Sequence, residues 1–183
     1  MPDVGLPYWD WTADVSHQEG IPQAYAQEQD NSVENPLFSA TVEWDKRLID
    51  RVLANLPGTL TEAGQTLRDP DSPDQLPMQT TINSILDAPT FEDFSIRLES
   101  VHNDVHVWVG GAMSQIPTAG YDPLFFAHHS MIDRLWYLWQ MRHPGINPPA
   151  SMLQTALPPF PMTVAQTLNI QTLGYQYAVQ VSA

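Results

Sequence analysis

The sequence predicts a single, mainly α-helical domain with long irregular loops. The first observation is that apolar side chains recur at helical spacing in two segments, residues 91–109 and 123–142. The second is the proline content of residues 56–80 and 146–183, which predicts irregular connections in those two stretches. A length of 183 residues is enough for one domain with a hydrophobic core.

The N-terminal part of the chain predicts little regular structure. Residues 6–11, LPYWDW, form a dense aromatic cluster that other structure should cover, because large aromatic side chains are normally buried. Residues 12–38 are polar and loop-like. Residues 41–55 predict a helix with one apolar stripe, made of Val42, Leu48, Ile49, Val52 and Leu53. Four prolines in residues 56–80 predict an irregular connection of unusual length.

Two long helices follow, and their ends are marked by the sequence. The first is predicted from Phe91 to Val109, with Thr90 as its N-cap and Gly110-Gly111 ending it. The second is predicted from Pro123 to Arg142, with Asp122 as its N-cap. Because the second helix is apolar on nearly every side, it should be central and buried. The proline-rich tail is expected to end in a short strand.

Composition and charge exclude several classes of function. Only seven Lys and Arg residues balance 21 Asp and Glu, and the resulting net charge of -14 argues against binding to nucleic acid or anionic membrane surfaces. The absence of cysteine excludes disulfides and thiolate metal sites. The first residues lack the basic start and apolar core of a signal peptide. The sequence therefore leaves the location open, with the cytoplasm expected if the chain is complete.

Histidines on the two long helices predict a metal site. His102 and His106 stand four residues apart and share one helix face. The second helix carries the doublet His128-His129, whose side chains diverge by about 100°, so only one can face the same point. The helical wheel selects His129 as the inward ligand, with His128 as a hydrogen-bonded core histidine behind it. Three neutral imidazoles suit copper, zinc, iron or nickel.

The neighbours of these histidines weigh against a purely structural role. A bare pair of histidines at this spacing is more often a surface feature or part of a satisfied core than a metal site. Here Glu99 and Asn103 share the face of His102 and His106, which places an acid and an amide where they can hold or activate a water. On the second helix, the Asp133-Arg134 dipeptide predicts a buried structural ion pair, with a substrate clamp as the less favoured alternative.

Two motifs carry a family resemblance. The pattern HNxxHxWxGG at residues 102–111 and the pattern DPxFxxHHxxxDRxW at residues 122–136 closely resemble the second-copper signature of the tyrosinase, catechol oxidase and molluscan hemocyanin superfamily. The LPYWDW segment resembles the one that follows the first-copper region in that family. Residues 35–38, NPLF, and the tail motifs also fit its bacterial-type members. The resemblance covers nearly the whole chain.

The resemblance implies part of an antiparallel four-helix bundle around a copper site. Members of the family hold two coppers, each by three histidines, and bind dioxygen between them; phenols are hydroxylated to catechols and catechols are oxidised to o-quinones. The resemblance implies His102, His106 and His129 as the ligands of the second copper. It also implies that Glu99 and Asn103 hold a water that deprotonates a phenol.

The resemblance further bears on substrate access and on completeness. Val107 lies where family members vary and substrate access is tuned, and its side chain is small enough to leave the way open. The first-copper histidines of the family precede the LPYWDW segment, where this chain has only five residues. His17, His128 and His143 are not placed to rebuild that site. Residues 1–183 are thus expected to form a single tyrosinase-type copper-binding domain that lacks the first-copper helices.

Three interpretations remain open at this point. In the favoured one, the chain is the second-copper half of a phenol oxidase that acts on dioxygen and a small phenolic substrate, and a partner chain or a homo-oligomer completes the bundle. In the second, the chain stands alone or as a homo-oligomer with a single copper. In the third, it is a non-enzymatic relative, either a fragment of an oxygen carrier or a structural remnant.

Overall fold

A computed structural model describes residues 5–178 of the chain. Its helices are α1 Asp14–Glu19, α2 Gln23–Ala26, α3 Lys46–Asn55, α4 Gln79–Leu86, α5 Phe91–Val109, α6 Ile116–Ala119, α7 Leu124–Arg142, α8 Ala150–Leu153 and α9 Ile170–Leu173. Short 3₁₀ turns occur at Pro73–Gln75, Gly111–Ser114 and Val164–Thr167. Strands β1, Gln29–Asp30, and β2, Val33–Glu34, form a small antiparallel hairpin. The prediction of a mainly helical fold is therefore confirmed.

Helix α5 has the bounds that its sequence predicts. The hydroxyl of Thr90 accepts a hydrogen bond from the main-chain N–H of Asp93 at 3.2 Å, as an N-cap should. Phe94, Leu98, Val101 and Val105 follow the helical period and are buried in the core. Burial of this stripe fixes the rotation of α5 about its own axis, so the residues of the opposite face point away from the core.

Helix α7 begins at Leu124, one residue later than predicted. The carboxylate of Asp122 caps it by accepting a hydrogen bond from the N–H of Leu124 at 2.8 Å. The expectation that α7 is central and buried is confirmed for one face only, because the rest of its surface is partly covered or exposed. Ala127, Met131, Leu135 and Trp139 are buried on that face. On the remainder of its surface, Phe126 is 51% exposed and Met141 is 64% exposed.

The tryptophans of the LPYWDW segment are buried, as predicted. Trp9 and Trp11 are almost completely covered, and the N–H of Trp9 donates to the carbonyl of Ala127 on α7 at 3.0 Å. The ring of Trp9 lies 5.9 Å from that of Trp108, near the end of α5. The segment thus ties the two long helices together from one side, although Leu6 at its start stays exposed.

Helix α3 is shorter than the predicted helix over residues 41–55. It begins at Lys46, where the side chain of Asp45 accepts a hydrogen bond from the N–H of Arg47 at 2.7 Å. Residues 41–45 are extended instead, because the irregular segment 56–80 returns beside them and Gly64 accepts a hydrogen bond from the N–H of Val42 at 2.8 Å. Local periodicity does not reveal this non-local pairing.

The described part of the tail is made of short helices and turns, and the end of the chain, where a short strand is predicted, lies largely outside it. The described part of the tail, up to residue 178, holds α8, α9 and one 3₁₀ turn but no strand, and residues 179–183 lie outside the described part. Within residues 5–178, no helix combines the length and the apolar character that crossing a bilayer requires.

Candidate metal centre

Helices α5 and α7 bring three histidine side chains to one point. His102 and His106 lie one turn apart on α5, and His129 projects from α7. The Nε2 atoms of His106 and His102 are 3.1 Å apart, those of His106 and His129 are 3.3 Å apart, and those of His102 and His129 are 3.4 Å apart. The structure therefore assembles the trio that the sequence selects.

The geometry of this trio fits a metal ion. A point equidistant from the three Nε2 atoms lies about 1.9 Å from each, close to the ~2.0–2.1 Å of zinc–imidazole bonds. The Nδ1 atom of His106 lies 2.8 Å from the carbonyl of Met113, an acceptor, so Nδ1 carries the proton and Nε2 carries a lone pair. The Nδ1 atom of His102 likewise lies 3.0 Å from Oδ1 of Asn103. Lone pairs that converge in this way are stabilised by a shared cation.

The protonation of the site favours metal binding. Burial, together with the nearby His102 and His106, lowers the pKa of His129 to about 4. Burial also lowers the pKa of His106, against the opposing effect of its hydrogen bond to Met113. Both rings are therefore neutral near pH 7, and neutral imidazole is the form that binds metal.

A fourth histidine, His128, lies directly behind the trio. Its ring stacks on that of His102 at a centroid distance of 5.1 Å and an interplanar angle of 16°, and it is completely buried. Its ligand atoms lie within 4.8 Å of those of the trio, so the four histidines form one cluster. His128 is a core histidine, as expected, but the expected hydrogen bond is missing, because neither ring nitrogen has a hydrogen-bond partner in the described part of the chain. Burial, with the three nearby histidines, lowers its pKa to about 2.

The other predicted site residues line two different cavities, both of which include His102 and His129. Glu99 is exposed and lines a cavity of about 380 Å³ together with the aromatic rings of Phe91 and Trp136. Asn103 and Val107 line a second cavity, of about 510 Å³. Val107 is 65% exposed, so its side chain leaves this cavity open. The water-holding role of Glu99 and Asn103 stays a prediction.

The predicted ion pair between Asp133 and Arg134 is wrong. Asp133 accepts a hydrogen bond from the hydroxyl of Tyr175 at 2.8 Å and another from that of Tyr177. Arg134 instead places its guanidinium 4.8 Å from the ring centre of Tyr8. Neighbours on a helix point in different directions, and here each meets a different terminal segment of the chain. Burial and the hydrogen bonds to Asp133 raise the pKa of both tail tyrosines.

Sequence reasoning missed the main-chain acceptor at His106. A carbonyl oxygen carries no residue-specific signal, so no motif identifies Met113 as the hydrogen-bond partner of a ligand. The doublet Gly110-Gly111 is the one sequence feature that could have indicated a tight turn at this point, because both glycines adopt positive φ just before the turn that carries Met113. From the sequence, the doublet predicts only the end of α5.

The sequence is similar to those of tyrosinases. Residues 1–142 match the family model described as the common central domain of tyrosinase. The tyrosinase of Streptomyces lincolnensis is 33% identical over an alignment of 162 positions that covers 76% of this chain and 55% of that protein. The tyrosinase of Streptomyces antibioticus is 30% identical over an alignment of 205 positions, gaps included, that covers 96% of this chain and 71% of that protein.

Oxygen-transport proteins are equally similar. Units G and H of the hemocyanin of Sepia officinalis are 34% identical over an alignment of 141 positions that covers 75% of this chain and 22% of that protein. Among solved structures, a functional unit of octopus hemocyanin superimposes with a TM-score of 0.71 and 31% identity, over 95% of this chain and 45% of that one. The chain thus spans less than half of that hemocyanin unit and 55% of the Streptomyces lincolnensis tyrosinase.

Proposed function

The chain belongs to the tyrosinase family of type 3 copper proteins, and on that premise we propose that it supplies the second-copper half of a centre that oxidises phenols or catechols to o-quinones with dioxygen. The single observation that carries the proposal is the convergence of three histidine Nε2 atoms within 3.4 Å of one another. His102, His106 and His129 hold the copper. When bound, copper supplies the site for dioxygen and accepts electrons from the substrate.

The second copper of a pair needs a first, and we propose that the ligands for it lie outside residues 1–183. Of the three remaining histidines, His128 belongs to the same cluster. The other two are engaged elsewhere: Nε2 of His17 lies 3.3 Å from the carbonyl of Pro77, and Nε2 of His143 lies 2.9 Å from that of Leu86. In residues 5–178 the only histidine cluster is the one around His102. We therefore propose that further helices, on the same polypeptide or on another chain, contribute three more histidines.

The open side of the site supports this completion. A cavity of about 850 Å³ lies beside His129, lined also by Tyr8, by the exposed Phe126 and by Asp133 with its two tail tyrosines. Leu6 and Phe126 present apolar side chains to this space although they are 68% and 51% exposed. An apolar surface beside a metal site is stabilised when another element covers it. We propose that the additional helices, which carry the ligands of the first copper, pack against this apolar surface.

The residues around the trio receive and orient a phenol. The ring of Phe125 stacks on that of His129 at a centroid distance of 3.9 Å and forms a wall of the cavity of about 510 Å³. Val107 leaves this cavity open to a small aromatic substrate. Asn103 holds the Nδ1 atom of His102 and so fixes which nitrogen faces the metal. Glu99, with a water held between it and Asn103, accepts the proton of a monophenol.

Oxygen carriage is the second candidate function. The similarity to a Sepia hemocyanin, at 34% identity, favours it as directly as the tyrosinases favour oxidation. The two candidates differ in one property. A carrier binds dioxygen reversibly and leaves catechol unchanged, whereas an oxidase transfers two electrons and two protons from each of two catechols to one dioxygen, which gives two o-quinones and two waters.

The experiment uses the assembly in which this chain occurs. Protein isolated through a tag on this chain from its own cells, and loaded with copper, is expected to convert 4-tert-butylcatechol into its o-quinone. The His102→Ala variant is expected to abolish this turnover, whereas His17→Ala, on the distant α1, should retain it. Reversible dioxygen binding without quinone formation would establish the carrier instead.

A further inference from the structure

A segment outside the two histidine-bearing helices is hydrogen-bonded to the end of α5. This segment, residues 67–71, is here called the brace, and its main chain runs beside the main chain of the last residues of α5. The N–H of Ala112 donates to the carbonyl of Leu67 at 2.7 Å, and the N–H of Asp69 donates to that of Val109 at 3.0 Å. The N–H of Asp71 donates to the carbonyl of Trp108 at 2.9 Å. The end of α5 therefore cannot shift without breaking these hydrogen bonds.

Two glycines permit this close approach. A Cβ atom on Gly111, which has φ of +51°, would lie 2.1 Å from the carbonyl oxygen of Leu67. A Cβ atom on Gly110, with φ of +66°, would lie 2.5 Å from the carbonyl oxygen of Asp69. Both contacts are with main-chain atoms, which cannot rotate away, and both φ values disfavour any other residue. Any side chain at these positions must push the brace and the end of α5 apart.

The consequence reaches His106. The 3₁₀ turn Gly111–Ser114 starts at the second glycine and delivers the carbonyl of Met113 to a distance of 2.8 Å from Nδ1 of His106. This hydrogen bond sets both the orientation of the ring and the nitrogen that faces the metal. The brace is therefore linked to His106 through this turn.

The brace is itself firmly held. The guanidinium of Arg68 donates to both oxygens of Asp122, at 2.6 Å and 2.8 Å, and it also donates to the carbonyl of Tyr25. The side chain of Arg68 is 8% exposed and that of Asp122 is fully buried. Because Asp122 caps α7, the brace connects the end of one ligand-bearing helix to the start of the other.

We propose that Gly110 and Gly111 are positioning residues for the copper ligand His106, acting through the brace and the carbonyl of Met113. The proposal rests on copper binding by His102, His106 and His129. It assigns to the glycine doublet a role in metal affinity in addition to its role in ending α5.

Copper binding by the full chain and its Gly111→Ala variant tests the proposal. The variant is expected to bind copper about 10- to 100-fold more weakly, the usual cost of losing a hydrogen-bond partner of a metal ligand. Its bound copper should also show an altered hyperfine pattern in EPR, a signal that reports ligand geometry, when measured on protein of verified helical content. Gly120→Ala is the matched control, since that glycine has φ of -69° and open space around its Cβ position.

Each outcome is decisive. Unchanged affinity and EPR pattern in folded Gly111→Ala would overturn the proposal, as would an equal change in Gly120→Ala. If Gly111→Ala does not fold, copper affinity and the EPR pattern are measured on Gly110→Ala instead, because its added Cβ atom would lie 2.5 Å from the nearest main-chain oxygen rather than 2.1 Å. Failure of the unmodified chain to bind copper would instead count against the proposed function, so the two failures are distinguishable.

Discussion

The carboxylate of Asp122 forms a bidentate ion pair with the guanidinium of Arg68, 54 residues earlier in the chain. The N–O distances are 2.6 Å to Oδ1 and 2.8 Å to Oδ2 of Asp122. Both side chains are removed from solvent, and Asp122 also caps α7 through the N–H of Leu124. One buried contact therefore fixes the start of the helix that carries His129. The pairing could not be predicted from the sequence, because Arg68 lies in an irregular segment with no periodicity.

Asp122→Asn is expected to destabilise the fold strongly. Removing one charge of a buried pair leaves the other uncompensated, which costs about 3–5 kcal/mol. The free energy of unfolding from urea titration measures this loss. Asp50→Asn is the matched control, because its exposed pair with Lys46 should contribute nothing measurable. Similar stability of the two variants would show that the pair with Arg68 does not hold the helix start.

The buried His128 makes the copper-free chain sensitive to acid. Its pKa is lowered from an ordinary 6.5 to about 2 in the fold, so below pH 6.5 the unfolded chain takes up a proton that the folded chain refuses. Stability is therefore lost as the pH falls, by up to about 1.4 kcal/mol per pH unit for this group. Urea unfolding at pH 7, 6 and 5 should give a shallower pH slope for His128→Gln than for the unmodified chain. Identical slopes would mean that His128 is not the buried neutral group described above.

Glu99→Gln separates the two proposed oxidations. Glu99 is proposed to deprotonate a monophenol, and a general base contributes about 100-fold or more to the proton transfer that it assists. In the copper-loaded assembly, hydroxylation of a monophenol should fall by about 100-fold, and oxidation of a catechol should change little. Glu92→Gln, at the exposed start of the same helix, provides the control. An equal loss of both activities would remove Glu99 from the water-holding role.

The parts of the fold set by local chemistry were predictable. Helix α5 has its predicted bounds because Thr90 and Gly110 act within one turn of its ends. The choice of the three histidines also follows from the helical period, since His102 and His106 stand one turn apart and the wheel separates His129 from His128. Their convergence depends on the packing of α5 against α7.

The parts set by tertiary contacts were not predictable. The start of α3 depends on a strand-like pairing with the distant Gly64, and the partner of Asp133 is Tyr175, 42 residues later. The open face of α7 reflects what the rest of the chain leaves uncovered, which composition does not reveal. Likewise, the Met113 carbonyl at His106 depends on main-chain geometry rather than on side-chain identity.

The most direct test of the metal centre is copper bound per chain, measured on purified unmodified protein and on two histidine variants of verified helical content. The unmodified chain should bind about one copper with a cupric EPR signal, because its three histidines form one site. His129→Ala should lose this copper, whereas His143→Ala, whose ring lies against the carbonyl of Leu86, should keep it. No copper in the unmodified chain, or equal loss in both variants, would contradict the assignment of His102, His106 and His129 as the ligands.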